Sequence, residues 1–585
     1  MVCPLDLPEM LLYIAPYLSN HTLVSAIQVS RQWHQSFSPF LYSSLMVHDN
    51  WSSSPSFPTL DVLQKHASSV RSLNLHTTAG LALFLHRCTN LKTLAIYQGV
   101  FSTSDPQELR ALWIGLTQLV RQNPLLEWIL FSLERKTSPP TEFLQALVQA
   151  CPNLRRFESS LGVYDTRDQA EALLQVMTGM EQVSARYEYF INIPTVDRWQ
   201  FPKLWELTMK DITGLSTQSQ VDLMCQCPNL KTLKWTVSKE SQFPVREFCE
   251  RVPVACPRLS QFHTDGYSVP DPKDLSRIVA SLPRLEWLVL CANRITPTVF
   301  GALTRHFETL ETLDVVDCFG FRSGMIQQVL ETCPNLAKLS SSHLLMRDIV
   351  HGKAWVATRL RFLELDLKPS SSHRMQEVML EHWATFKQLS GLTHLQALAT
   401  GAQGLTAKSG IKFQLDYGLA QLSTLTQLKE LNMKRSYQRM GMKDVEWFGA
   451  HLKQLQRIEG IFDWEWEWHL DITGMFRSYG WEVPDQDHEV VSAIEMTGLD
   501  ELDGEEDEDE EDDYDDESDY YDEEEEEDYS DTEGGSVGPS GGDHGDGGGG
   551  GGSGQDDDGL AYATQDPSAG TGPMHVVAED AIEQH

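Results

Sequence analysis

The last 108 residues of this 585-residue sequence contain no lysine and no arginine. Residues 478–585 nevertheless hold 39 of the 84 acidic side chains, so the formal charge of −38 belongs to this C-terminal part. Residues 1–477 carry 45 acidic and 46 basic side chains and are almost neutral. This balance argues against a basic nucleic-acid binder and against a chain that is acidic throughout.

Apolar runs are short, and cysteine is scarce. No window approaches 18 consecutive apolar residues, so we expect no transmembrane span and no membrane partner. The N-terminus lacks a basic stretch and is interrupted by Asp6, Glu9 and Pro16, which argues against a signal peptide. Ten cysteines in a chain of this length are too few for a disulfide scaffold. We therefore expect reduced thiols and an intracellular location, in the cytoplasm, the nucleus or both.

The motifs of common enzyme classes are missing as well. The sequence has no Walker phosphate loop, no Gly-x-Gly-x-x-Gly after a strand, no His-Glu-x-x-His and no Gly-x-Ser-x-Gly. Zinc ligation by Cys225, Cys227, Cys249 and Cys256 is disfavoured, because the first spacing is tighter than zinc ligands usually have. We predict structural cysteines, no catalytic residue, no metal and no cofactor, and therefore a protein that is not an enzyme.

A repeated phrase dominates the middle of the chain. Cys-Pro-x-Leu occurs at residues 151–154, 227–230, 256–259 and 333–336, each time with an apolar residue three places after the Leu. A relaxed form of this pattern has 15 leading apolar positions with a mean spacing of 27.5 residues. These positions are Val70, Leu91, Leu125, Leu154, Val183, Leu204, Leu230, Leu259, Leu285, Leu310, Leu336, Leu360, Leu392, Leu428 and Leu455.

A period in the twenties with this pattern is typical of leucine-rich repeats, in which each unit supplies one strand and one helix. In residues 310–334, Leu313 and Val315 alternate as in a half-buried strand, and Ile326, Val329 and Leu330 have helical spacing. Residues 67–475 resemble the cysteine-containing leucine-rich repeats. The resemblance implies an α/β solenoid with the shape of a horseshoe. An α/α solenoid is the alternative, and the short Val/Leu strand phrases count against it.

The first 46 residues have a different, helical pattern. Leu-Pro-Glu at residues 7–9 opens it, aliphatic residues follow at helical spacing, and Val-Ser-Arg-Gln-Trp at residues 29–33 comes near its end. This order resembles the F-box. The resemblance implies an adaptor-binding surface formed or supported by Leu7, Pro8, Ile14, Leu18, Leu23, Val29 and Trp33. The alternative is a helical cap that closes the first repeat, since solenoids need capping units.

An F-box ahead of leucine-rich repeats implies a substrate-recognition subunit of an SCF-type cullin–RING ubiquitin ligase. Its partners would be a Skp-type adaptor with the cullin–RING core and an unidentified target protein. Catalysis would be positional, because the protein raises the effective concentration of a target lysine near the conjugating enzyme. The alternative function is a non-catalytic repeat scaffold with a helical cap and no link to ubiquitin.

The expected domain organisation is an F-box (1–46), a linker (47–66), the repeats (67–475), a cap or linker (476–497) and a tail (498–585). Residues 500–533 contain 25 Asp or Glu, and Gly dominates residues 534–554, so we expect a disordered tail. Its role is either solvation or the docking of a basic partner.

A tryptophan cluster lies near the end of the repeats. Trp464, Trp466 and Trp468 alternate with glutamates, which predicts a strand with the three rings on one face. The rings would cap the last repeat or, as the alternative, anchor a bound target protein.

Overall fold

The structure is a computed structural model that describes thirteen stretches of the chain. These are residues 7–48, 60–78, 87–103, 105–133, 139–160, 163–164, 166–186, 189–190, 196–238, 242–370, 374–400, 410–462 and 466–484. The chain divides into two units, residues 1–504 and 505–585, and every described residue belongs to the first. The predicted tail at 498–585 lies outside the described residues.

Within the described residues, sixteen short strands form one parallel sheet that follows the order of the chain. They are β1 (Ser44–Val47), β2 (Ser72–Leu75), β3 (Thr93–Ile96), β4 (Trp128–Ser132), β5 (Arg156–Ser160), β7 (Gln182–Arg186), β9 (Glu206–Ile212), β10 (Thr232–Val237), β11 (Gln261–Asp265), β12 (Trp287–Cys291), β13 (Thr312–Asp314), β14 (Lys338–Leu345), β15 (Phe362–Lys368), β16 (Ala397–Ala399), β17 (Glu430–Tyr437) and β18 (Arg457–Ile461). Two further strands, β6 (Val163–Tyr164) and β8 (Tyr189–Phe190), pair with each other.

Helices precede and connect the strands. They span Pro8–Ile14, Asn20–Ala26, Arg31–Leu41, Leu60–His66, Pro106–Arg121, Thr141–Ala150, Arg167–Met177, Thr217–Cys225, Val245–Ala255, Pro272–Ser281, Pro297–Leu303, Ser323–Thr332, Met346–His351, Met375–Ser390, Met442–His451 and Trp466–Ser478. Short 3₁₀ segments, Leu415–Tyr417 and Leu419–Thr424, replace the helix between β16 and β17. None of the helices in the described stretches is both long enough and apolar enough to cross a membrane.

The second position of nearly every strand in the sheet faces the helices and is at most 2% exposed. Parallel pairing stacks these residues into one row, because each is the Cα partner of the next. The row consists of Leu73, Leu94, Ile129, Phe157, Val183, Leu207, Leu233, Phe262, Leu288, Leu313, Leu339, Leu363, Leu398, Leu431 and Ile458. All of them belong to one continuous core. The chain therefore has the leucine-rich repeat fold, as the sequence predicted.

The Cys-Pro-Asn-Leu form of the phrase has a structural cause. Its Asn side chain donates a hydrogen bond to a backbone carbonyl of the preceding repeat: Asn153 to Pro124 at 3.3 Å, Asn229 to Pro202 at 2.7 Å and Asn335 to Glu308 at 2.7 Å. The buried Cys256 of another copy places Sγ 3.2 Å from the carbonyl of Met224 and 3.3 Å from that of Cys227. The phrase thus satisfies backbone groups that lie between two repeats.

Three leading positions of the predicted repeat are wrong by a small shift. Leu125 is 45% exposed, whereas its neighbour Leu126 is buried and precedes Ile129 by the usual three residues. In two other repeats the leading apolar position is occupied by Met180 and Leu395, whereas the sequence pattern predicted Val183 and Leu392. Each of these segments offers more than one apolar residue for the leading position, so the sequence pattern alone does not fix the register.

The first strand lies across the boundary predicted at residue 46. Ser44–Val47 pairs in register with Ser72–Leu75, so it extends the sheet by one strand. The segment predicted as a linker, 47–66, contains the helix Leu60–His66. The helical module therefore passes directly into the edge of the repeat sheet.

The predicted tryptophan strand is wrong where the structure describes it. Residues from Trp466 onward form the helix Trp466–Ser478, while Trp464 lies outside the described residues. The helix buries Ile472 and Phe476 against the last repeat. Two residues advance about 200° around a helix, so positions 466 and 468 do not share a face.

Replacing Leu313 by Asp tests the buried row. The change puts a charge without a partner at a fully buried position, and we expect it to lower the free energy of unfolding by more than about 4 kcal/mol. Leu288→Asp, one strand earlier, should act alike. The matched control is Thr312→Asp on the opposite face of the same strand, which should change stability little. Thermal unfolding followed by circular dichroism measures all three; an unchanged midpoint for Leu313→Asp contradicts the register.

Candidate functional site

The three N-terminal helices form a module with its own small core. Leu11 of Pro8–Ile14, Leu23 of Asn20–Ala26 and Phe37 of Arg31–Leu41 pack together, apart from the core of the repeats. The hydroxyl of Ser30 accepts a hydrogen bond from the backbone N–H of Trp33 at 3.1 Å and caps the third helix. Ser30 of the Val-Ser-Arg-Gln-Trp phrase is therefore the N-cap residue of the third helix.

The residues predicted to bind an adaptor fall into three groups by exposure. Those open to a partner are Leu7, Pro8 and Val29, of which Val29 is 62% exposed. Half-buried against the small core are Ile14, Leu18 and Trp33. Leu23 is buried and can only support the surface. The adaptor site itself stays a prediction.

More apolar side chains are exposed on this module than the sequence pattern predicted. They are Met10, Leu12, Tyr13, Tyr17 and Val24, with exposed fractions between 42% and 78%. The rings of Tyr13 and Tyr17 lie 6.2 Å apart and form a pair. Exposed apolar residues this frequent within residues 10–24 make the module a candidate interaction surface. Helical periodicity misses them because it assigns apolar residues to the buried face.

The C-terminal helix has a smaller apolar surface. Trp468 is 50% exposed, and Leu470 and Tyr479 expose 47% and 42%. The side chain of Trp466 and all of Trp464 are outside the described part of the structure. A target-binding role for the three tryptophans stays a prediction. Its premise, three rings on one face of a strand, is wrong from Trp466 onward, where the chain is helical.

The other face of the sheet points away from the helices, and we call it the open face. Its residues alternate with the buried row along each strand. In the middle of the open face, three cations and one histidine from four consecutive strands of the sheet lie side by side, and we call them the cationic cluster: Arg186 on β7, Lys210 on β9, Lys234 on β10 and His263 on β11. Strand register makes Arg186 the partner of Lys210, and Lys234 the partner of His263.

Two members of the cationic cluster, Lys210 and His263, have a lowered pKa. Burial is the main cause of a lowered pKa at Lys210, and the charges of Arg186 and Lys234 add to it. Burial and the same three cations lower the pKa of His263 to about 3. The ring of His263 is therefore neutral at physiological pH and stacks beside Trp287 at 6.3 Å.

Two of the carboxylates around the cationic cluster already have partners. Glu206 lies 3.3 Å from Lys234, and Asp265 accepts hydrogen bonds from the backbone and hydroxyl of Ser268. Asp211 follows Lys210 in a left-handed conformation with φ of 53°. Across the described stretches, no carboxylate lies within 4.0 Å of the basic groups of Arg186 or Lys210. These two cations are thus available to a ligand.

The cysteines weighed as zinc ligands do not converge on a metal. Cys227 and Cys256 are buried, and their Sγ atoms lie within 3.3 Å of backbone carbonyls. Burial raises the pKa of the Cys256 thiol to about 12. In the portion of the chain that the structure describes, no group of three or more His, Cys, Asp or Glu side chains is placed to hold a metal ion.

No protein-family model and no curated protein matches the sequence. Solved structures similar to it include the leucine-rich repeat protein LIC12759 of Leptospira interrogans, with 15% identity, a TM-score of 0.36 and coverage of 73% of this chain and 99% of that one. An internalin (inlF) from Listeria monocytogenes is 14% identical, with a TM-score of 0.30 and coverages of 73% and 94%. The complex of Rad7 and Elc1 in yeast is 11% identical, with a TM-score of 0.33 and coverage of 76% of this chain and 92% of that one. The fold assignment rests on the sheet itself.

The half-buried His263 predicts a pH dependence of stability. Its pKa is about 3 when folded and near 6.5 when unfolded, so between these values the unfolded chain binds a proton that the folded chain does not. Stability from this residue is therefore present above pH 6.5 and lost as the pH falls, by about 2 kcal/mol at pH 5. The charged groups that face it are Lys210, Lys234 and Arg186.

Urea unfolding at pH 7 and pH 5 measures this loss. His263→Gln should reduce the difference between the two pH values, whereas the exposed control His21→Gln should keep it. An identical difference in wild type and His263→Gln would show that the imidazole is not held neutral in the sheet.

Proposed function

We propose that this protein is a substrate-recognition subunit of an SCF-type cullin–RING ubiquitin ligase. The observation that carries the proposal is a helical module with its own core and dense exposed apolar residues, placed directly before a leucine-rich repeat sheet. The resemblance of residues 4–46 to the F-box supports the same role. In this arrangement the module holds a Skp-type adaptor and the repeats hold the target.

Adaptor binding would use the apolar side chains that the small core leaves outside. Leu7, Met10 and Val29 are each more than 40% exposed, so burying them against an adaptor gains free energy without loss of packing inside the module. Tyr13 and Tyr17 are aromatic residues of the kind that dominate binding energy at interfaces. Residues buried in the small core hold these side chains in place.

Ubiquitin transfer would then depend on position alone. A target held on the repeats is tethered to the cullin–RING core through the adaptor, which raises the local concentration of its lysines near the conjugating enzyme. The protein would supply one binding surface on the helical module and one on the repeats, joined where β1 pairs with β2. It supplies no reacting group.

Point variants on the module test adaptor binding. We expect Val29→Asp and Met10→Asp, both at exposed positions, to reduce co-purification of a Skp-type adaptor about tenfold or more, since a charge would be buried in the interface. The matched control is Ile114→Asp, a 61% exposed apolar residue on the repeat helix Pro106–Arg121. The control should leave adaptor recovery unchanged.

Failure of the wild-type protein to recover any Skp-type adaptor would contradict the proposal. The alternative, a repeat scaffold whose helices cap the first repeat, would then fit better. Removal of residues 1–42 also distinguishes an adaptor-binding module from a helical cap. The deletion keeps the strand Ser44–Val47 on the edge of the sheet. A cap should be needed for stability, whereas an adaptor-binding module should be lost without unfolding the repeats.

A further inference from the structure

We infer that the cationic cluster on the open face is a binding site for a compact phosphate-type dianion, either free phosphate or a phosphate monoester. The site consists of Arg186, Lys210 and Lys234 with the hydroxyls of Ser184 and Thr208. It is independent of the helical module and of the proposed role in ubiquitin transfer. No motif in the sequence marks it, because its members come from three repeats.

Strand register sets the dimensions of the site. Ser184, Thr208 and Lys234 are successive Cα partners across three strands, and Arg186 and Lys210 are partners two residues further on. Neighbouring strands lie about 4.8 Å apart, and two residues along a strand span about 6.6 Å. Five donor groups therefore surround an area of roughly 10 Å by 7 Å, which suits one tetrahedral anion and its hydrogen bonds.

Repulsion within the site is unfavourable for the free protein. Like charges at directly opposite positions of neighbouring strands destabilise a sheet, and Arg186 and Lys210 are such a pair. Both lack a carboxylate partner, as described above, and Lys210 is half-buried. A bound dianion would replace this repulsion by charge-assisted hydrogen bonds.

The hydroxyls of Ser184 and Thr208 add two neutral donors beside the cations. Ser184 is half-buried and Thr208 is 3% exposed, and neither side chain has a hydrogen-bond partner in the described stretches. Both lie in the same cross-strand row as Lys234, because Ser184 pairs with Thr208 and Thr208 with Lys234. Hydroxyls beside two free cations are the mixture of neutral and charged donors that phosphate oxygens accept.

The surrounding carboxylates favour a compact dianion over an extended acidic chain. Glu158 pairs with Arg156 at 2.6 Å, and Glu206, Asp211 and Asp265 lie on the other sides of the site. A run of Asp and Glu residues longer than the site would meet these carboxylates and be repelled. A single phosphate is short enough to lie between Arg186 and Lys210, on the side of Lys234 away from Glu206.

Calorimetric titration of the full-length protein tests the site with three probes. These are inorganic phosphate, a glycine-flanked peptide with one phosphoserine, and the same peptide with unmodified serine. We expect the first two to bind and the third not to bind. If phosphate and the phosphopeptide compete, they share one site, and the tighter of the two identifies the source of the anion.

Substitutions locate the binding. Lys210→Met and Arg186→Gln should each weaken phosphate binding about tenfold, the loss of one charge-assisted hydrogen bond. The matched control is Lys338→Met on the same face of β14, where Lys338 already pairs with Asp314 at 3.4 Å. It should bind phosphate as the wild type does. Phosphate should also raise the thermal unfolding midpoint of wild type and control, but not of the two site variants.

Two outcomes would overturn the inference. One is equal phosphate binding by wild type, Lys210→Met and Arg186→Gln, which places the anion elsewhere. The other is no binding of phosphate or phosphopeptide by folded wild-type protein. Adaptor recovery is measured separately with variants of the helical module, so failure of this site leaves the proposed ubiquitin role untouched, and the reverse also holds.

Discussion

In-register parallel pairing of one buried apolar residue per repeat is the constraint on which the structure depends. A single strand and helix cannot bury their apolar sides alone, so each repeat is stable only between its neighbours. The row from Leu73 to Ile458 satisfies this requirement in one continuous core. A shift of one residue in any strand would turn its apolar side chain to the open face. The same register therefore decides which residues are presented to ligands.

Most of the fold could be predicted because each residue type that recurs in the repeat has a physical role in the structure. Cys and Asn of the Cys-Pro-Asn-Leu phrase bond to backbone groups between repeats, as Asn229 does with Pro202. The pattern was insufficient where neighbouring apolar residues compete, as at Leu125 and Leu126. It also failed at residues 466–468, where alternation suggested a strand but the chain had already entered the last helix, Trp466–Ser478. Packing against the final repeat overrides local alternation there.

The candidate sites differ in how far the sequence could reveal them. The helical module is contiguous, so the phrase ending in Trp33 indicated it, although burial of Leu23 and exposure of Met10 follow only from the packing of three helices. The cationic cluster is spread over residues 186–263, and its members become neighbours through strand pairing. Near neutrality of residues 1–477 hid this local concentration of charge, because a sum says nothing about where charges lie.

The two candidate sites also differ in how a local change spreads. The module has its own core, so a change at an exposed position such as Val29 acts on its surface and not on the repeats. In the sheet, each repeat supports its neighbours, and the open face is the reverse side of the buried row. A core change near Leu207 or Leu233 would displace Thr208 and Lys234 together, because they adjoin on the same strands. The proposed anion binding should therefore depend on repeat packing, whereas the proposed adaptor binding should depend on the module alone.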